Sequence, residues 1–414
     1  MRVLIWATHL QTDILSLSLH LDACDDVALM VVTPDPATYL NEPIAQARPI
    51  GAPVLDRAGH DTIAKAEAFG ADVVVADNHL PPPGIAPRLF YMWHGLGWKA
   101  RNWLDRQVFY HMVRRLTGAD PRGPNPAFRA QCYGPSDRNW RINNWKLPAS
   151  SCAEIGMTFS DMLLAPPYAK EDIAHTFKVD VINRKTVVLA ISWHYGGIFA
   201  NADSDRRFLR GLIAEQPIKS ADLAFLRQVI ATVRANHANL VICFNDRRRY
   251  DTRFLAAIEA LTAPEPFIEM RFKDEHPDNL ADLMVADVMI SNLSSILAYY
   301  YVLGRPTIHI MPAGPDAHHI ERRTMLLSRF NFPLRLRADT AWMLPPTDVG
   351  GVIAHDPVEA TAALEQALAD PDMGARPARE WLVRHVTGID GRTGARFKRA
   401  LEELCAGEML KTSA

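Results

Sequence analysis

The chain has 414 residues, of which 48% are apolar and 22% are charged, and its formal net charge is −2 at pH 7. This length suits two α/β domains of about 150–200 residues each better than a single core. The near-neutral charge argues against a general nucleic-acid-binding protein. The five cysteines include no Cys-x-x-Cys pair, which argues against a disulfide framework or a zinc site and favours the cytoplasm. No apolar run approaches the roughly 20 residues that span a bilayer.

The first half of the sequence alternates short apolar runs with helical patterns. The chain opens on a strand-like run rather than a charged and then apolar leader, so we expect no signal peptide. Gly70 ends the second helical pattern. Strands that alternate with helices predict parallel pairing with right-handed crossovers. The predicted strands are residues 3–8, 27–33, 53–55, 71–76 and 88–93, and the predicted helices are 13–21 and 61–69.

The second half begins the same alternation again after Pro166-Pro167. We expect the division near residues 168–181, with one Rossmann-like domain over 1–175 and another over 176–414. The final helical pattern, at 393–405, could pack back on the first domain. The predicted strands are 185–192, 240–244, 267–270, 287–291 and 307–310, and the predicted helices are 221–236, 250–261, 279–285 and 295–303.

The segment from Ala286 to Leu297 carries the most informative local pattern. A buried strand over 287–291 ends in polar residues, and a helix begins at once. The first N–H groups of a helix have no partners inside it, so such a turn can bind an anion. The hydroxyls of Ser294 and Ser295 could add donors to a phosphate. The competing interpretation is ordinary helix capping, which serine often provides.

A second informative segment follows the strand predicted at 88–93, at the sheet edge where ligands dock in open α/β sheets. Gly95 and Gly97 let the backbone turn close to a ligand. His94 could accept a proton from an attacking hydroxyl near neutral pH, and Lys99 could hold a phosphate. The competing interpretation of His94 is a structural histidine in a loop.

Together these segments resemble the CDP-glycerol glycerophosphotransferases, a family that includes teichoic acid polymerases. The family's first hallmark, Trp-His-Gly-Thr-Pro-Leu-Lys, matches Trp93-His94-Gly95 and Lys99. Its second hallmark, Thr-Asp-Tyr-Ser-Ser and later Leu-Gly-Lys-Pro, is similar to residues 291–295 (Ser-Asn-Leu-Ser-Ser) and 303–306 (Leu-Gly-Arg-Pro). Weaker similarities lie at 155–161 and 390–396. Because the matches keep their order along most of the chain, they are more specific together than singly.

The resemblance implies a GT-B fold, in which two Rossmann-like domains with parallel sheets face each other across a cleft. It implies a transferase that moves glycerol phosphate, or a related polyol or sugar phosphate, from a CDP-activated donor to a hydroxyl. CMP would leave, and positioning with charge neutralisation would supply most of the rate without a metal or cofactor. The implied site residues are His94 as general base, Ser294, Ser295 and Asn292 at the donor phosphates, and Gly95 and Lys99 on the acceptor side.

The acceptor implied by the resemblance is a cell-surface polymer or glycolipid, so we expect work in the cytoplasm or peripherally at the inner face of the membrane. Residues 99–146 suit an anionic polymer or a lipid-linked acceptor, because ten Lys or Arg stand there against three Asp, with aromatic residues between them. The competing interpretation is an ordinary helix followed by a polar loop.

Two departures from the family leave the donor open. Asn245-Asp246-Arg247 stands where the family has His-Pro, and Trp193-His194 stands in place of Pro-Thr-x-Arg. Arg247 and His194 could replace the lost phosphate contacts, since guanidinium groups bind phosphate well, although a run of arginines also suits a solvated loop. The alternatives are a GT-B glycosyltransferase or sugar-nucleotide epimerase that uses a UDP- or GDP-sugar, and a non-catalytic binding module.

Overall fold

A computed structural model describes residues 1–93, 95–98, 103–190, 220–244, 247, 252–292, 294–311, 322–327, 332–336 and 342–407. Within these residues, two large parallel sheets dominate the molecule, one of seven strands and one of six. Helices flank both sheets. The chain therefore forms two Rossmann-like α/β units, as the alternation of strand and helix patterns predicts.

The first sheet is built from the N-terminal part of the chain. Its strands are β1 (Arg2–Trp6), β2 (Ala28–Thr33), β3 (Val54–Asp56), β4 (Val73–Asp77), β5 (Leu89–Met92), β6 (Phe128–Cys132) and β7 (Cys152–Glu154). Their order is β3-β2-β1-β4-β5-β6-β7, and every neighbouring pair is parallel. Every residue of β4, β5 and β6 is buried, as expected for central strands covered by helices on both faces.

The second sheet repeats this design. Its first five strands are β8 (Thr186–Ala190), β9 (Asn239–Phe244), β10 (Ile268–Phe272), β11 (Val288–Ser291) and β12 (Thr307–Ile310). A separate antiparallel pair follows, formed by β13 (Arg322–Leu327) and β14 (Phe332–Leu336). The last strand of the sheet is β15 (Val352–Ala354). The sheet order is β10-β9-β8-β11-β12-β15, all parallel. The order reverses between β8 and β11, just as the first sheet reverses between β1 and β4.

Alternating side chains of the second sheet enter two different cores. Val187 and Leu189 face an apolar cluster that belongs to the second domain, whereas Val188 joins the larger cluster shared with the first domain. This follows from the two-residue period of a strand, which sends successive side chains to opposite faces. One face of the second sheet therefore packs continuously toward the first domain.

The helices cover the sheets and connect their strands. They are α1 (Thr12–Asp22), α2 (Pro36–Leu40), α3 (Pro43–Ala47), α4 (Thr62–Phe69), α5 (Trp103–Thr117), α6 (Pro135–Trp145), α7 (Phe159–Leu164), α8 (Lys170–Ile173), α9 (Ser220–Ala235), α10 (Thr252–Thr262), α11 (Asn279–Val285), α12 (Ile296–Tyr300), α13 (Pro357–Ala369), α14 (Ala375–His385) and α15 (Thr393–Cys405). Among the helices that the structure describes, none is long and apolar enough to cross a membrane.

The last two helices pack on the first domain although they follow the second sheet in sequence. In α15, the ring of Phe397 lies 4.4 Å from that of Phe90 in β5, measured between centroids. In α14, His385 Nδ1 lies 2.9 Å from Ser136 Oγ of α6. The C-terminal segment contacts the second domain as well, since the ring of Trp381 in α14 lies 4.9 Å from that of Tyr301.

Five strands of the structure are missing from the sequence prediction: β6, β7, β13, β14 and β15. β6 contains Arg129 and Gln131, two polar residues that are buried, and they break the apolar pattern by which strands are recognised. β7 and β15 have only three residues each, too short for a periodic signal. Their pairing partners, rather than their own composition, make them strands.

Candidate functional site

A cavity of about 130 Å³ opens at the carboxyl ends of the strands in the second sheet, next to the reversal between β8 and β11. Connections leave toward opposite faces of a sheet at such a reversal, which is why ligands of open α/β sheets bind there. The described residues that line it are Val188, Ala190, Cys243, Phe244, Lys273, Asn279, Asp282, Leu283, Met289, Ser294, Ser295, Ile296 and Tyr299 from the second domain, and Gln11 and Thr12 from the first.

Ser294 and Ser295 line this cavity between β11 and α12. Both are partly exposed, and Ser295 occupies the N-cap position of α12 without a side-chain capping bond. The helix predicted over 295–303 is α-helical for five residues only and continues as a 3₁₀ turn at Tyr301–Leu303, so its dipole is short. The hydroxyl groups, rather than the dipole, are what this turn offers to a ligand.

The loop after β5 lies directly against this serine turn. A Cβ atom placed on Gly95 would lie 2.8 Å from both Cβ and Oγ of Ser295, and one placed on Gly97 would lie 3.7 Å from Ser295 Cβ. Gly95 also has a φ of +91°, a conformation that other residues rarely adopt. Two segments separated by about 200 residues in sequence, each singled out for its motif, thus meet between the domains.

Buried aromatic side chains hold both ends of this loop. The Gly95 N–H donates to the Tyr133 hydroxyl at 2.9 Å, and that hydroxyl donates to the Trp93 carbonyl at 2.9 Å. At the far end, Trp98 Nε1 donates to the carbonyl of Asp348 at 2.7 Å. The loop is therefore anchored to the first domain at one end and, at the other, to the segment that precedes β15 of the second sheet.

A buried carboxyl group links α1 to the serine turn, in what we call the Asp13 cluster: Asp13, Thr158, Phe159 and Tyr299. The Tyr299 hydroxyl donates to Asp13 Oδ2, and the Phe159 N–H donates to Oδ1 at 2.8 Å. The Thr158 hydroxyl donates to the Asp13 carbonyl at 2.7 Å. Burial raises the pKa of Asp13. Because Tyr299 belongs to α12, this cluster ties the helix after Ser295 to the first domain.

An ionic cluster forms another part of the cavity wall, and we call it the Lys273 cluster: Lys273, Asp282, Arg271 and Glu269. Lys273 pairs with Asp282, whose other oxygen accepts from Arg271 Nε at 3.0 Å. Arg271 also lies 3.1 Å from Glu269. Burial raises the pKa of Asp282, but the two cations more than offset this and hold it below its usual value. Asp282 is therefore a carboxylate shared by two cations.

The structure positions only some of the residues predicted for the site. Ser294 and Ser295 line the cavity, Gly95 contacts Ser295, and Asn292 is buried at the end of β11. His94, Lys99 and His194 lie outside the described residues.

Arg247 is not among the described residues that line the cavity. Its guanidinium group lies 3.8 Å from the centre of the Phe272 ring and pairs with Glu275 at 2.9 Å and Glu259 at 3.4 Å. The Arg247 N–H donates to Asp274 at 3.1 Å. In this structure Arg247 therefore contacts carboxylates and an aromatic ring, and its phosphate contact stays a prediction.

The basic stretch at 99–146 is largely used for internal contacts. Arg141 is buried, pairs with Asp137 at 2.9 Å and lies 3.5 Å from the centre of the Trp93 ring. Arg114 and Arg122 both pair with Asp120. Arg129 is buried as well. Sequence alone could not distinguish the buried Arg129 and Arg141 from a basic surface, because their surroundings are formed only on folding.

Several groups of the site carry no recognisable motif. Gln11 and Thr12 reach the cavity from the first turn after β1, and Asn279 Nδ2 lies 3.4 Å from Gln11 Oε1 across the domains. The φ of +45° at Thr12 marks an unusual backbone there. Lys273 directly follows β10, so its place at the carboxyl end of a strand was the available signal.

Comparisons with known proteins reveal similarity in structure but not in sequence. No family model matches the chain, and no curated protein matches it significantly. The wall teichoic acid polymerase TagF matches with a TM-score of 0.64 at 11% identity, over 98% of this chain and 89% of that one. UDP-GlcNAc 2-epimerase from Neisseria meningitidis bound to UDP-GlcNAc matches with a TM-score of 0.54 at 12% identity, over 97% and 100%.

These similarities define the class of fold. Two parallel-sheet α/β domains in the arrangement shared by TagF and the epimerase constitute a GT-B fold. At identities of 11–12%, these matches show the fold and not the activity, because one fold can carry many activities.

Proposed function

We propose that the protein is a GT-B transferase that uses a nucleotide-activated donor, with CDP-glycerol or a related CDP-polyol as the leading candidate. The observation that carries this proposal is the contact between Gly95 and Ser295. It joins the two segments that resemble the CDP-glycerol glycerophosphotransferase hallmarks, and it does so beside a cavity at the reversal point of the second sheet. Ligand sites occur preferentially at interfaces between domains, and this juxtaposition lies at one.

In the proposed reaction, the hydroxyls of Ser294 and Ser295 donate to the donor diphosphate from the second domain. His94 accepts the proton of the acceptor hydroxyl from the first domain, and Lys99 binds on the acceptor side. The acceptor oxygen forms a bond to the β-phosphorus as the bond from that phosphorus to the CMP oxygen breaks. Holding both reactants in line, with donors directed at the phosphates, supplies most of the rate.

The proposed acceptor is a hydroxyl of an anionic surface polymer or of a lipid-linked precursor, met in the cytoplasm or at the inner face of the membrane. Arg115 and Lys146 are exposed members of the basic stretch and are available to such an acceptor.

The first test is a thermal-shift panel of CDP-glycerol, CDP-ribitol, UDP-sugars and GDP-sugars, followed by an assay for CMP release. A donor present at about 100 times its Kd should raise stability by about 2.7 kcal/mol. His94→Ala should abolish CMP release, and Ser294→Ala with Ser295→Ala should weaken donor binding. Ser150→Ala, a partly buried serine outside the cavity lining, is the matched control. Unchanged turnover in His94→Ala would remove that histidine from the mechanism.

A second candidate is a sugar-nucleotide epimerase or glycosyltransferase on the same fold. The similarity to an epimerase bound to UDP-GlcNAc favours it, together with Trp193-His194 and Asn245-Asp246 in place of family motifs. Stabilisation by UDP-sugars but not by CDP compounds would select this candidate over the first. Absence of turnover with every nucleotide donor would instead favour a non-catalytic binding module.

A further inference from the structure

Lys273 places a largely buried ammonium group on the wall of the cavity. Its backbone N–H donates to the carbonyl of Phe244 at 3.1 Å, which extends the β9–β10 pairing and fixes where the side chain begins. The side chain is 15% exposed and lines the cavity. The Asp282 carboxylate raises the pKa of Lys273 above its ordinary value, although burial acts in the opposite direction. The amine is therefore a cation at neutral pH.

The other cation of the Lys273 cluster, Arg271, is 1% exposed and is not among the described residues that line the cavity. Arg271 donates through Nε to Asp282, and through a terminal nitrogen to Glu269 at 3.1 Å and to the carbonyl of Thr176 at 2.9 Å. Its guanidinium carbon also lies 4.1 Å from the centre of the Phe177 ring. Arg271 thus serves to attach the interdomain segment to β10 and is closed to a ligand.

Lys273 differs because it has a single partner, Asp282, among the residues that the structure describes. An ammonium group carries three N–H donors, and a buried donor without an acceptor costs free energy. Asp282 cannot supply more, since its oxygens also accept from Arg271 and, at 3.4 Å, from the Cys243 thiol. The remaining N–H groups of Lys273 require acceptors, and the cavity is the space beside them.

The rest of the described lining contains no other cation. Ser294, Ser295, Gln11 and Asn279 contribute neutral hydroxyl and amide groups, and Asp282 is negative. A diphosphate that enters a partly buried site without a cation would lose its hydration without compensation. A charge-assisted bond from an ammonium group offsets that loss.

We propose that Lys273 donates to the diphosphate of the bound nucleotide, with Asp282 holding its ammonium group at the cavity wall. This inference rests on the proposed function, since it names a further contact for the nucleotide-activated donor. In this arrangement the phosphates of the nucleotide, rather than its base or ribose, contact Lys273, the single cation among the described lining residues. Two groups from opposite sides of the cavity, the serine hydroxyls and Lys273, then bind the same diphosphate.

The test separates phosphate contacts from base contacts by comparing ligands on the same protein. Calorimetric titration with cytidine, CDP and inorganic pyrophosphate is carried out on wild type, Lys273→Met, Lys273→Arg and the exposed control Lys65→Met. We expect Lys273→Met to weaken CDP and pyrophosphate about 10- to 100-fold, the usual contribution of a charge-assisted bond, and cytidine less than about twofold. Lys273→Arg should recover part of the loss, and Lys65→Met should change none of the three affinities.

Asp282→Asn should weaken CDP less than Lys273→Met does and should leave cytidine unchanged, because the amide still accepts from Lys273. A labelling experiment on the wild type avoids dependence on the folding of any variant. CDP and pyrophosphate should both protect Lys273, but not Lys65, from acetylation by acetic anhydride, as measured by mass spectrometry.

Equal weakening of cytidine and CDP, or unchanged CDP affinity with no protection of Lys273, would overturn the inference while leaving nucleotide binding intact. Binding of pyrophosphate through Lys273 by a protein that binds no nucleotide would support the phosphate contact and overturn the proposed function. A wild-type protein that binds neither would overturn both.

Discussion

The Asp13 cluster and the Lys273 cluster both border the cavity, but they differ in what they leave unsatisfied. In the Asp13 cluster, a single carboxyl group accepts from a tyrosine hydroxyl and a backbone N–H, while a threonine hydroxyl donates to the backbone carbonyl of the same residue. In the Lys273 cluster, two cations share one carboxylate, and Lys273, the one on the cavity wall, has Asp282 as its single side-chain partner among the described residues. The first joins the domains, whereas the second lies within one domain and on the cavity wall.

This difference separates a structural role from a binding role. A buried polar group whose partners are all in the protein adds stability and orientation, and a ligand would have to break it to bind. A buried group with donors directed at a cavity gains its remaining partners only when a ligand or water arrives. Variants of the two clusters should therefore divide between losses of stability and losses of affinity.

The largest effect on stability is expected for Asp13→Ala. The change leaves the Tyr299 hydroxyl and the Phe159 N–H buried without their acceptor, which should lower the free energy of unfolding by about 3 kcal/mol. Urea unfolding followed by circular dichroism measures it. Asp26→Ala is the control, because its pair with Lys398 lies at the surface and should contribute less than about 1 kcal/mol. Equal losses in the two variants would contradict the structural role of the cluster.

The next largest effect on stability is expected for Gly95→Ala, because this change perturbs the loop that Tyr133 holds against the serine turn. The new Cβ would meet Ser295 at 2.8 Å in a backbone conformation with φ at +91°. We expect a loss of about 2 kcal/mol in stability together with weaker donor binding. Gly118→Ala is a matched control, since Gly118 has a φ of +78° but no atom within 4 Å of the new Cβ. It should lose stability from backbone strain and keep its donor affinity, and a similar affinity loss in both would show that contact with Ser295 is irrelevant.

A pH-dependent effect is expected at Glu42, which connects the first domain to α11. Glu42 accepts from the N–H of Asp278, the residue that caps α11, and its other oxygen lies 4.0 Å from His276. Burial, followed by the nearby charge of Asp278, raises the pKa of Glu42 from 4.5 to about 7, although Arg271 and Lys273 oppose this. Between these values the folded protein retains a proton that the unfolded chain releases. Raising the pH through this window therefore lowers the free energy of unfolding.

Glu42→Gln mimics the protonated side chain and should remove this dependence. It should be more stable than wild type by about 1–2 kcal/mol at pH 8 and equal to it near pH 4. Urea unfolding at the two pH values measures the difference, and Glu67→Gln, at an exposed helical position, is the control. A constant difference across the range would mean that Glu42 is not the titrating group.

The smallest effect on stability is expected for Lys273→Met. Asp282 keeps its bond to Arg271, so no charge is left without a partner, and the expected loss is about 1 kcal/mol. The same variant is expected to show the largest loss of CDP affinity. A stability loss as large as that of Asp13→Ala would erase the distinction between the two clusters and make Lys273 a structural residue. Thermal unfolding with and without CDP gives both quantities in one experiment.

Local sequence patterns predicted the architecture, the serine turn that lines the cavity and the glycine loop that contacts this turn. Continuous apolar runs bounded by helices required parallel strands, and polar residues at the end of β11 and the glycine loop after β5 pointed to a ligand. Sequence patterns could not show that the guanidinium group of Arg247 pairs with Glu275 and Glu259, because these carboxylates come close only in the folded chain. The sequence analysis did not single out Lys273, because whether this lysine faces a cavity depends on how α11 packs.

The two Rossmann-like units could be predicted from the residue pattern, because strand and helix periodicity is a local property of each segment. The sequence also located the Gly95 loop and the Ser294-Ser295 turn, whose residue types have a chemical meaning wherever they lie. Only the tertiary structure decided that these two segments touch, that Asp13 reaches Tyr299, and that Lys273 alone among the described lining residues faces the cavity as a cation. The physical reason is that partner choice for a polar side chain depends on packing between segments far apart in sequence.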